Sequence, residues 1–115
     1  MDIERLIQRS FKLRNAAHGA HWKTKSYSEH KALKGLYDNV VDLLDRYVET
    51  HQGVFGLVGD TPDQVKDIKS LLNEEMSLIT KSRSELARGV PALENLLDEI
   101  VGSYARTLYK LENLR

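Results

Sequence analysis

The chain has 115 residues, with 17 Lys and Arg against 17 Asp and Glu and no cysteine. Zero net charge gives no global drive towards nucleic acid or an anionic membrane, and the missing thiols exclude disulfides, thiolate metal sites and cysteine nucleophiles. With 41% hydrophobic and 30% charged residues, no apolar run of membrane-spanning length and no signal core after Met1-Asp2-Ile3-Glu4, a single folded domain in the cytoplasm is expected.

Charge is nevertheless uneven. From Arg5 to Lys34 there are eight basic residues and one acid, Glu29. Such a run is either a solvated face or a weak surface for anions or an acidic partner.

Residues 2–21 predict the first helix, because Ile3, Leu6, Ile7, Leu13, Ala17 and Ala20 recur at three- and four-residue steps. Projection places His21 inside that stripe and His18 at its edge. Residues 22–28 are polar and form a short connection, with Ser28 as the expected N-cap and Glu29 suited to the first-turn dipole. Trp22 reads as a packing anchor closing the end of the fold.

Residues 29–52 predict the strongest helix. Leu33, Leu36, Tyr37, Val40, Leu43, Leu44, Tyr47 and His51 make a wide apolar stripe, and Asp38, Asp42, Asp45 and Glu49 share the opposite face. The Tyr and Leu stripes read as core, and His51 as structural. Gly53, Gly56 and Gly59 mark a packed crossover loop over residues 53–60. Thr61, Pro62 and Gln64 then carry a capping-box pattern for a third helix over 62–88. Val65, Ile68, Leu72, Ile79 and Leu86 form its stripe, and Arg88-Gly89 its end. Pro91 opens a fourth helix over 91–114, with Leu93, Leu96, Leu97, Ile100, Tyr104, Leu108 and Leu111 inward. The very short link makes helices three and four antiparallel neighbours. The pattern predicts an all-α, antiparallel four-helix bundle, one domain over 1–115, with a long crossover between helices two and three.

A carboxylate-bridged di-iron centre within one such bundle needs Glu-x-x-His on two helices. No His follows His51, so that centre is excluded. A second geometry stays open. His21 and His30 flank one short loop, while Asp45 and Glu49 lie 15 and 19 residues beyond His30, roughly 22–28 Å along a helix. One chain cannot bring all four to one ion. Two antiparallel copies of the second helix about a two-fold axis can. Two imidazoles and two carboxylates suit Fe(II), Zn(II) or Mn(II).

The run His18-Gly-Ala-His21-Trp22, with Glu29-His30 and Asp45-Arg46-Tyr47-Val48-Glu49, resembles the Dps family of mini-ferritins. The resemblance implies a ferritin-like fold and an inter-subunit ferroxidase site that holds iron. His21 and His30 would come from one subunit and Asp45 and Glu49 from its neighbour. Lys34 stands where that family has a further acid, the loop between the histidines is shorter, and the Lys-rich DNA-binding tail is absent. The run Lys-Thr-Lys-Ser-Tyr-Ser-Glu-His-Lys-Ala-Leu also resembles small uncharacterised tailed-phage proteins.

Two functions therefore stand as expectations. One is a Dps-like iron-binding homodimer with ferroxidase-like activity. The other is a non-enzymatic, phage-type helical-bundle protein that binds a protein partner and has lost the metal site. In both the chain is a homo-oligomer, with neither membrane nor nucleic acid as partner. For each residue a plainer role competes: a satisfied core histidine for His21, a helix-start residue for His30, a solvated acidic face for Asp45 and Glu49.

Overall fold

The computed structural model describes residues 1–114. They form four helices and no strand: α1 (Ile3–Lys23), α2 (Tyr27–Phe55), α3 (Ile68–Ala87) and α4 (Pro91–Asn113). This is the all-α content of a four-helix bundle. The chain divides into two compact units, residues 1–64 and 65–115. The first is the α1–α2 hairpin with most of the connection that follows; the second is the α3–α4 hairpin. No described helix is long and apolar enough to cross a membrane.

In the first hairpin Asp2 caps α1, its side chain accepting from the Arg5 N–H at 2.9 Å. The cap of α2 is Ser26 rather than the expected Ser28. Ser26-Tyr27-Ser28-Glu29 has the S-x-x-E spacing of a capping box, and the Ser26 hydroxyl accepts from the Glu29 N–H at 3.3 Å. Glu29 Oε2 accepts from the Thr24 hydroxyl at 2.7 Å, and Thr24 Oγ1 also accepts from the Ser26 N–H. A loop this short is held by its own hydroxyls. At its far end α2 runs three residues past the expected stop at 52, to Phe55. It ends where Gly56 takes φ 94°, a conformation that glycine adopts without strain.

The connection turns back on α1 through Gly59, whose N–H donates to Glu4 Oε1 at 2.8 Å. Between it and α1 lies a cleft of about 400 Å³ lined by Ile7, Phe11, Val58 and Gln64 among others. The third helix does not begin at Pro62. The cap pattern is present, with Thr61 N–H donating to Gln64 Oε1 at 3.3 Å, but it closes only a turn. A second cap overrides it. Asp67 accepts from both the N–H and the hydroxyl of Ser70, at 3.1 and 2.7 Å, and α3 starts at Ile68. These hydrogen bonds hold the Asp67 carboxyl below the usual carboxylate range. A carboxylate bonded twice at a helix start outcompetes a single amide contact.

In the second hairpin, Arg88 (φ 52°) and Gly89 (φ 80°) make the left-handed turn expected there. Val90 caps α4 without a side-chain bond, and Pro91 takes the first helical position. Ala87, with no exposed surface, lets the two helices approach at the turn. Arg83 spans the pair, donating in a fork to Asp98 at 2.9 and 3.0 Å and to Glu94 at 2.8 Å.

The core differs from expectation. Ile7, Ala17, Tyr37 and Leu44 are the buried apolar residues of the first hairpin, and Ala87 that of the second. Leu36, Leu43, Tyr47, Leu86, Leu93, Leu96, Ile100 and Leu111, read above as core, are exposed. The reason is geometric. Two packed helices cover only one face of each other, and the apolar arcs on these helices are wider than that.

Candidate functional site

α1 and α2 meet at the hairpin tip through two histidines, both anticipated from the sequence. Their rings stack at 3.6 Å between centroids with 22° between planes. Each donates its Nδ1–H to the other's backbone carbonyl: His21 to His30 O at 2.8 Å, His30 to His21 O at 3.0 Å. A carbonyl can only accept, so each Nδ1 carries the proton. The His21 carbonyl lies in the last turn of α1, where carbonyls lack helical partners. His30, in the first turn of α2, supplies the missing donor. The pair is a clasp tying the end of one helix to the start of the next, with His21 buried.

Beside the clasp runs a second stack. Tyr37 lies under His18 at 3.9 Å and 11°, and His18 lies 4.4 Å from Trp22. The Tyr37 edge meets His21 at 5.3 Å. Arg14 Cζ and Lys34 Nζ each sit 5.6 Å from the Tyr37 ring centre, and Lys31 Nζ sits 5.3 Å from that of Tyr27. Partial burial, then the Arg14 guanidinium, holds the His18 imidazole below its ordinary value. Lys34 pairs with Asp38 at 2.9 Å, and that hydrogen bond raises the lysine above its ordinary value. The expectation for Trp22 is corrected here. The indole is 72% exposed and closes nothing. One residue past His21, it is turned roughly 100° from the side of α1 that packs on α2.

The four residues proposed as metal ligands are not together in one chain. His21 and His30 meet at the tip; Asp45 and Glu49 are exposed far along α2. Among the described residues no three His, Cys, Asp or Glu side chains converge closely enough to hold an ion. The histidine pair has one property that suits a metal. Its Nδ1 atoms are engaged by carbonyls, the arrangement that leaves Nε2 free for a ligand bond. The stack itself does not suit a shared ion. An ion lies near each imidazole plane, about 2 Å from the nitrogen, and two planes only 22° apart converge well beyond that distance. The rings would have to leave their stack.

Helix faces add a constraint. At 100° per residue, Leu36, Val40, Leu43, Tyr47 and Val54 share one side of α2, while Asp38, Asp42, Asp45 and Glu49 lie roughly 120–180° away. A copy seated on the apolar side leaves Asp45 and Glu49 facing outwards. Two copies sharing a metal must instead meet acid face to histidines.

Farther along α2, His51 stands between Tyr47 and Phe55, at 6.4 and 4.9 Å between ring centres, and its buried Nδ1 has no partner among the described residues.

Comparison with known proteins follows the same direction. Residues 21–111 match the family model described as "Family of unknown function (DUF5856)". The chain is also 29% identical over 96 residues to an "Uncharacterized 14.6 kDa protein in mobD-ri intergenic region" of Enterobacteria phage T4. That alignment covers 82% of this chain and 75% of the phage protein. No solved structure matches. Neither description names a ferritin, a Dps protein or a metal.

Proposed function

The chain belongs to the DUF5856 family, and from that premise we propose that it is a non-enzymatic, phage-type helical protein that acts by association, a second copy of itself being the partner. One observation carries this reading. Leu36, Val40, Leu43 and Tyr47 follow alternating four- and three-residue steps and Val54 comes seven residues after Tyr47, the heptad rhythm of helix pairing, on a helix whose adjacent face, with Tyr37 and Leu44, is already packed on α1. Leu43 is 60% and Val54 68% exposed. A chain this small gains much from covering such a stripe, and a single-helix stripe is self-complementary about a two-fold axis. Similarity to a phage protein supports the phage-type assignment.

The test is mass. Light scattering should give a multiple of the 13.1 kDa protomer. Leu43→Glu combined with Tyr47→Glu should reduce it to one protomer while far-ultraviolet circular dichroism keeps its helical form. A wild-type protein of one-protomer mass ends the reading.

The fixed Nδ1 tautomers favour a second reading, in which His21 and His30 hold iron, zinc or manganese with Asp45 and Glu49 of another copy. Metal analysis of protein purified without chelator decides it. Stoichiometric metal that His30→Ala loses supports ligation; a metal-free protein of intact fold removes it. Only metal-loaded protein would then justify an assay of ferroxidase-like Fe(II) oxidation.

A further inference from the structure

The aromatic stack beside the histidine clasp is closed on one side and open on the other. Tyr37 is buried against α1, His18 lies flat on it, and Trp22 follows with its indole in solvent. On the α2 side of the tip, Tyr27 is 74% exposed. Arg14, Lys31 and Lys34 lie within 6 Å of the Tyr37 or Tyr27 ring centres. Two acids are near. Asp38 is paired with Lys34, and Glu29 accepts from the Thr24 hydroxyl.

We infer that this flank of the α1–α2 hairpin binds single-stranded nucleic acid, with a base extending the ladder at Trp22 and phosphates held by Arg14, Lys31 and Lys34. An acidic peptide would answer the cations, but it has no use for exposed flat rings. A strand of unpaired nucleotides presents both a π-face and an anion at every step, and proteins that hold one combine the same two elements. A duplex keeps its bases stacked inside and cannot use the ladder. Zero net charge does not oppose contact, because charges beyond about 10 Å are screened at 0.1 M salt. This site goes beyond the self-association proposed above and uses a different part of α2.

Trp22 is the single tryptophan of the chain, so its fluorescence reports on this flank alone. Titration with an oligothymidylate should quench it saturably. Anisotropy of the labelled oligonucleotide should give a constant that weakens with salt, at a log–log slope of roughly −2 for three phosphate contacts. Trp22→Ala should weaken binding by at least about fivefold, the lower end for loss of one stacked base, and Trp22→Phe should restore most of it. Arg14→Gln with Lys31→Gln should flatten the salt slope. Four outcomes overturn the inference: no binding at low salt, binding that Trp22→Ala leaves unchanged in a chain of unaltered circular dichroism, equal binding of a duplex of the same length, or quenching by polyglutamate or phosphatidylglycerol vesicles without quenching by the oligonucleotide.

Discussion

At the scale of single residues, the histidines of the hairpin tip act first as structural groups. His30 gives a donor to a carbonyl that α1 leaves without one, and its ring covers that of His21. Removing it exposes that loss directly. His30→Ala should lower stability by about 1–2 kcal/mol, read as a shift in the urea midpoint at unchanged slope. No change in midpoint would mean that the clasp contributes nothing. His51 is the opposite case, a buried nitrogen with no partner among the described residues. Replacing it by an apolar side chain removes an unmet desolvation cost, so His51→Leu should raise the thermal midpoint, by an amount corresponding to about 1 kcal/mol or more. A lower midpoint would show that the imidazole is satisfied by association. The sequence placed His21 and His30 at the same end of the fold. It did not show that their Nδ1 atoms face carbonyls, because that depends on how the two backbones approach.

At the scale of elements, helix type was legible from periodicity and helix ends were not. Ser28 is the expected cap of α2 and Thr61 that of α3, whereas the caps are Ser26 and Asp67. Local hydrogen bonds chose between them. For α2 the choice went to the residue whose hydroxyl reaches Glu29 N–H, and for α3 to the carboxylate that binds Ser70 twice. The α3–α4 hairpin carries a charge clasp that makes its stability depend on pH. The hydrogen bond from Arg83 holds the Asp98 carboxyl below its ordinary 3.8. Its contribution is therefore present above that value and is lost as pH falls through the lowered folded value. Asp98→Asn should lower the thermal midpoint at neutral pH and reduce its decline between neutral and acid pH. Equal acid declines in both proteins would exclude this pair as a contributor.

At the scale of the whole molecule, the apolar surface and the acidic surface of α2 make opposite demands on a second copy. Seating the copy on Leu43 and Tyr47 leaves Asp45 and Glu49 in water; seating it on the acids leaves the apolar stripe in water. Mass and metal content measured on the same preparation separate these arrangements. A metal-free oligomer dispersed by the paired Leu43→Glu and Tyr47→Glu changes is the expected result. A metal-dependent oligomer insensitive to those changes would reverse it.

By itself the sequence determined that the chain is helical, that four helices form, and that histidines gather at the first turn while acids line the back of the second helix. These follow from residue spacing, which a helix converts into faces without any long-range contact. Tertiary structure alone decided which apolar residues are covered, that Trp22 stands in solvent, and that the Nδ1 atoms of His21 and His30 meet backbone carbonyls. Those outcomes depend on which surfaces meet, and an apolar stripe is written the same way whether it faces a neighbour or water.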